Sequence, residues 1–230
     1  VGLLPIGHPD QSGDGLDLVM PAHRQLGPAV LQRGGARVVG GAGRPLLERN
    51  DLVLDDLGVA EPGPHERWGF NANDSYLRWL DKNDPSITRG EQLRSGRPPG
   101  AAFWYRYSES EMHPDDVHGF FVTADDPAQR LPGQGRIQLD LQGRLIGFDI
   151  VPPERIDAGM QKVDWPVIFE AAGFDPAKFV ETQPVRSPTT PCDELRAWKG
   201  TVYGEIEGIV QAGRLAGAPV YFATLGPWDL

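Results

Sequence analysis

Arg136-Ile137-Gln138-Leu139-Asp140-Leu141-Gln142-Gly143-Arg144-Leu145-Ile146-Gly147-Phe148-Asp149-Ile150-Val151 is the stretch that decides the fold. Ile137, Leu139 and Leu141 alternate strictly with polar residues, which in a strand puts the three on one face and leaves Gln138 and Asp140 in water. After Gln142-Gly143 the alternation resumes with Ile146, Phe148 and Ile150, and Pro152-Pro153 ends it. Two period-two runs on either side of a glycine turn predict an antiparallel hairpin over 137–151 with those six apolar residues buried.

On the N-terminal side, Ala102-Phe103-Trp104-Tyr105-Arg106-Tyr107 is dense in residues that suit a pleated, half-buried surface, and Val117 to Thr123 is the expected partner strand. Three consecutive aromatics on a strand must place at least one ring on each face. Leu46, Leu47, Leu52, Leu54 and Leu57 give a helical stripe that stops at Gly58. Asn73 or Asp74 can cap a second helix carrying Tyr76, Leu77 and Leu80 on one face, with Trp79 beside them, as far as Asn83.

On the C-terminal side the theme repeats. Asp164 can cap a short helix over 165–172, with Pro166 in its first turn and Gly173 as its stop. Strand-like segments follow around Phe179 to Arg186, Leu195 to Trp198, Ile206 to Gln211 and Pro219 to Leu225. Leu141-Gln142-Gly143-Arg144-Leu145 and Gln211-Ala212-Gly213-Arg214-Leu215 look alike, which raises an internal duplication, with a chance match of five residues as the other reading. The resulting expectation is an α+β chain: an irregular Gly/Pro-rich arm over 1–44, then two helix-plus-antiparallel-sheet modules over 45–155 and 156–230.

Composition narrows the function classes. The 230 residues carry 22 Lys+Arg against 32 Asp+Glu, a formal net charge of −10, so neither a basic groove for nucleic acid nor attraction to an anionic membrane surface is expected. With 40% hydrophobic residues the chain can close a core, while 29 glycines and 22 prolines predict many turns and short elements. A single cysteine, Cys192, excludes an internal disulfide and cysteine-built zinc sites. No run of about 18 apolar residues occurs, and without a Met or signal peptide at its start the sequence reads as a piece of something longer.

Candidate chemistry is sparse. Val38-Val39-Gly40-Gly41-Ala42-Gly43 is followed by Pro45 and Leu46, and the chain downstream shows adjacent strands and not the strand-helix alternation that a dinucleotide loop needs, so a Gly-rich linker is the better reading and no cofactor is expected. Glu109, Glu111, His113, Asp115, Asp116 and His118 crowd imidazoles and carboxylates into ten positions. Of these, His113, Asp115, Asp116 and His118 are the ligand set a metal-dependent hydrolase would use, although acids beside Pro114 are also what a solvated loop contains. Cys192, flanked by Asp193 and Glu194, makes a poor thiolate. Trp68, Phe70, Trp79, Trp104, Tyr105 and Arg106 are the candidate ligand- or partner-binding set, because aromatics and Arg concentrate binding energy; the competing reading is that the rings are core.

In order along the chain, Trp68-Gly69-Phe70, Tyr76-Leu77, Phe103-Trp104-Tyr105-Arg106, Leu131-Pro132-Gly133, Leu139-Asp140, Gly143-Arg144-Leu145 and Val151-Pro152-Pro153 form one string. Phe169-Glu170-Ala171-Ala172-Gly173-Phe174-Asp175-Pro176, Arg196-Ala197-Trp198, Pro219-Val220-Tyr221-Phe222 and Gly226-Pro227-Trp228 extend it. This string resembles the extracytoplasmic region of large bacterial transmembrane serine/threonine protein kinases. It departs from that family at Ser108-Glu109-Ser110-Glu111, where a Ser-Pro is common, and the first 44 residues match nothing in it. The resemblance implies a cytoplasmic kinase domain before this chain, a membrane helix after Leu230, and a periplasmic location. It hands over no ligand or binding residue. No kinase signature occurs within the chain, so the fragment itself is expected to be non-catalytic. The leading expectation is a sensory or interaction domain for a small-molecule or protein ligand. A small metal-dependent hydrolase and a structural spacer or homodimerisation unit are the alternatives.

Overall fold

The computed structural model describes residues 30–32, 43–59, 62–84, 89–115, 121–155 and 161–230. Strand β1 (Val30–Gln32) is followed by helix α1 (Gly43–Asp56), strand β2 (His65–Ala72), helices α2 (Asp74–Asn83) and α3 (Arg89–Ser95), and strands β3 (Ala101–Ser108), β4 (Gly135–Asp140) and β5 (Leu145–Ile150). Helix α4 (Trp165–Ala171), a short 3-10 turn (Pro176–Lys178) and strands β6 (Val180–Thr182), β7 (Glu194–Tyr203), β8 (Ile206–Leu215) and β9 (Ala218–Leu225) complete the chain. The class is α+β. One sheet joins all nine strands in the order β1-β2-β3-β4-β5-β9-β8-β7-β6, antiparallel except for the β1/β2 pair. Strands from 45–155 and from 156–230 are thus hydrogen-bonded to one another where β5 pairs with β9.

Register explains which side of the sheet is core. Trp68, Tyr105, Ile137, Phe148, Phe222 and Ala212 lie opposite one another in a single row across six strands, and all six are buried. Because side chains alternate along each strand, that row and its neighbours two residues away share one face. Helix α1 covers part of this face with Leu46, Leu47, Asn50, Val53 and Leu54, which recur every three to four residues as 46/47, 50 and 53/54, and Gly58 in a left-handed conformation ends its last turn. Ile168, Phe169 and Ala171 of α4 join the same core, where Phe169 meets Trp198 and Phe179 edge-on.

The hairpin forms as its alternation predicts, with Ile137, Leu139, Phe148 and Ile150 buried, but three positions differ. Leu141 lies in the turn and is half exposed, because the strand has already ended at Asp140. Ile146 follows a register shift at Gln138/Leu139 and is only partly covered. Asp140, expected in water, is completely buried. Its carboxylate accepts the backbone N–H groups of Gln142 (2.9 Å) and Arg144 (3.0 Å) and the Arg144 Nε (2.6 Å), which offsets the cost of removing its charge from water.

Other local signals hold or fail for identifiable reasons. Asn73 caps α2 by accepting from the Tyr76 N–H, whereas Asp164 makes no side-chain cap for α4. Trp68 and Phe70 belong to β2, where Gly69 and polar neighbours interrupt the apolar pattern. Phe121, Val122 and Thr123 form no strand, and 117–120 lie outside the described residues. The two Gly-Arg-Leu motifs are not equivalent: Gly143 turns the chain between β4 and β5, while Gly213 pairs with Tyr221 inside the β8/β9 ladder and the turn there is Ala216-Gly217. No helix among the described residues is long and apolar enough to cross a membrane.

Candidate functional site

The face of the sheet turned away from α1 carries a second register row, Arg67, Arg106, Arg136, Asp149 and Tyr221, beside a row running Trp104, Gln138, Gly147 and Ala223. The sequence alternation that sends Phe148 into the core necessarily sends Gly147 and Asp149 to this polar side. A cavity of about 420 Å³ opens on it. Its floor is Ala102, Gly147 and Ala223, small residues that leave room above the strands. Its walls bring Asn71 from the end of β2, Asp74 and Ser75 from the start of α2, Tyr221 from β9, and Arg186, Trp228 and Asp229.

Each wall is fixed by its own contacts. Asn73, besides capping α2, donates from Nδ2 to the Pro99 carbonyl at 3.2 Å, and its backbone N–H donates to the Gly100 carbonyl at 2.9 Å. Trp228 packs among Tyr76 and Trp79 of α2 and Tyr203, with ring centroids at 4.6, 5.4 and 5.8 Å. Asp229 accepts the Gly226 N–H at 2.9 Å, and Arg186 donates to the Asp229 backbone carbonyl. Burial raises the Asp229 carboxyl above the ordinary carboxylate value, with the Gly226 N–H and Arg186 opposing.

Beyond Asp149 lies a second cavity of about 390 Å³, lined by Arg130, Arg136, Asp125, Thr189 and Thr190 among others. The Arg136 Nη2 donates to Asp149 at 2.7 Å, and its Nη1 meets Asp125. Burial would depress the Arg136 guanidinium, but those two carboxylates hold it above its usual value. Arg106, only 1% exposed, donates to the carbonyls of Thr123 (2.9 Å) and Pro127 (2.6 Å), so it clamps the 121–131 loop onto the sheet. Burial first and Arg136 second pull it down to about 10.

The six residues singled out from the sequence do not share one surface. Trp68, Phe70 and Tyr105 are core on the helix face, where Trp68, Phe70 and Phe103 pack edge-on or tilted against one another. Trp104 and Arg106 project to the other face but are covered, at 3% and 1% exposure. Trp79 stays half-buried in the Trp228 cluster. Of the metal set, Asp116 and His118 lie outside the described residues. His113 is exposed beside Glu111, and Asp115 is occupied by the Ala128 N–H and Arg130. Among the described residues no group of three His, Cys, Asp or Glu is placed to hold a metal ion. Burial and Asp193 raise the half-buried Cys192 thiol, against thiolate chemistry.

What sequence reasoning missed is the groove itself, formed by Gln138, Tyr221, Trp228 and Asp229 around Gly147. A glycine inside an alternating strand was the available signal, since it marks a place where something else approaches the backbone. No protein-family model, no curated protein and no solved structure matches the chain.

Proposed function

We propose that this chain is a non-catalytic, extracytoplasmic sensory domain of a membrane-anchored serine/threonine kinase, and that it takes a small-molecule ligand into the open-face groove. The kinase context rests on the ordered motifs from Trp68-Gly69-Phe70 to Gly226-Pro227-Trp228. The single observation that carries ligand binding is the cavity over Gly147, which the 92% buried Tyr221 lines and where the buried Asn71 Oδ1 has no hydrogen-bond partner among the described residues. A concave site with a few convergent polar groups is the usual form of a small-molecule pocket. Part of its wall is Leu225, Trp228 and Asp229, at and just after the end of β9.

The test is a thermal-shift screen of this chain against small metabolites, because a ligand selective for the folded state raises the melting temperature by mass action. A hit should lose its shift in Ala223→Leu, which fills the groove floor, and should change autophosphorylation of the full-length protein in vesicles. A hit that survives Ala223→Leu, or a screen with no hit, overturns the groove as the sensory site.

A further inference from the structure

Resting on that reading of the groove, we infer that its ligand is an uncharged, hydroxyl-rich small molecule of the saccharide class. The charged groups around the cavity stand beside groups of opposite sign. Asp149 takes its proton-bearing partner Arg136 at 2.7 Å, and Arg186 lies on the Asp229 segment, donating to its backbone carbonyl. Asp74 sits on the exposed rim and is engaged elsewhere. Arg186 also offsets part of the Asp229 charge, so a ligand bringing net charge meets groups of both signs here.

The groups left over are uncharged and can both give and take hydrogen bonds. Gln138 and Asn71 offer amides, Tyr221 and Ser75 offer hydroxyls, and the Asn71 Oδ1 is buried without a hydrogen-bond partner among the described residues. An amide presents a donor and an acceptor side by side, and so does a vicinal diol, so successive hydroxyls of a sugar match this set where a phosphate or an ammonium matches only half of it. Tyr221 carries the argument furthest. Its ring is buried, it lines the cavity together with Asp149 and Arg186, and burial with Asp149 keeps the phenol protonated and able to donate. The floor of Ala102, Gly147 and Ala223 and the edge of Trp228 supply the apolar contact that the C–H face of a sugar ring requires. About 420 Å³ is within the range of small-molecule sites and well above one water cluster.

Titration calorimetry on the intact chain tests this with a set of neutral mono- and disaccharides (glucose, galactose, N-acetylglucosamine, maltose, trehalose) against inorganic phosphate and putrescine. At least one saccharide should bind with an affinity that changes little between low and high salt, since no charge is matched on binding. Tyr221→Phe should weaken it about tenfold, the value of one lost hydrogen bond to an uncharged partner. Gly147→Thr should block it, because a side chain there meets only the Gln138 amide and the Phe222 carbonyl at contact distance and otherwise enters the groove. Circular dichroism of both variants establishes that they fold, and Ala223→Leu is the second blocking variant. Binding of phosphate or putrescine that falls steeply with salt and is lost in Gly147→Thr overturns the saccharide class while the groove stands. No binding by any probe, or saccharide binding indifferent to both blocking variants, overturns this inference.

Discussion

Arg136 donates to the Asp149 carboxylate at 2.7 Å across the β4/β5 ladder, and this ion pair divides the open face into two cavities. The two side chains are each about four-fifths buried, at 20% and 24% exposure. Breaking the pair from one side leaves a largely desolvated charge without its best counter-ion, which is costlier than removing both.

Asp149→Asn is therefore expected to destabilise the fold by about 2 kcal/mol, below the value for a fully buried pair because Asp125 and some solvent still reach Arg136. The double variant Asp149→Asn/Arg136→Met should recover part of that loss. Urea denaturation of the two variants checks it; a double variant less stable than the single one would show that the pair contributes net stability.

Asp140 holds the β4/β5 turn from beneath. Its carboxylate takes two backbone N–H groups and the Arg144 guanidinium, and Arg97 lies 3.9 Å away while donating to the Ala172 carbonyl that ends α4. Asp140→Ala leaves two N–H groups and the Arg144 Nε without that acceptor, and a loss of about 3 kcal/mol is expected. Amide exchange should accelerate in the 140–145 turn before it does in β7 or β8.

The legible and illegible parts of this fold separate along one line. Alternation is visible wherever one face of a strand is uniformly apolar, so Ile137, Leu139, Phe148 and Ile150 could be placed from sequence alone. Sequence periodicity cannot distinguish a polar residue facing water from one buried with its hydrogen bonds satisfied, and Asp140 belongs to the second kind. The same ambiguity hid β2, whose polar His65, Glu66, Arg67 and Asn71 mask the buried Trp68 and Phe70. The groove was hidden for a different reason. Its lining comes from β2, β3, β4, β5, β9 and the C-terminal segment, and only the register that sets β5 beside β9 brings Gly147 opposite Ala223.

Trp228 is the anchor of the groove's outer wall, held by Tyr76, Trp79 and Tyr203 after the last strand has ended. Trp228→Ala removes half-buried aromatic surface rather than core, so a cost of about 2 kcal/mol is expected, less than for a fully buried Trp. Its signature is local: backbone amides over 226–230 should exchange much faster while those of β4 and β5 keep their protection. Uniform loss of protection across the sheet would mean that the cluster holds up the whole fold and not one wall.

Asp229 gives the site a pH dependence whose sign follows from its environment. Burial raises its folded-state pKa above 3.8, so the native state binds this proton more tightly than the unfolded chain does. The ionised carboxylate therefore costs stability above its folded pKa, and the cost disappears as pH falls through that pKa toward 3.8. Asp229→Asn removes the charge but keeps an oxygen for the Gly226 N–H. It should melt at a higher temperature than the parent chain at pH 7, with the gap closing steadily as the pH approaches 3.8. The partial exposure of Asp229 keeps the gap small. Melting curves of both proteins from pH 7 to pH 4 measure it, and a variant that melts lower than the parent at pH 7 would show that Arg186 outweighs burial at this carboxylate.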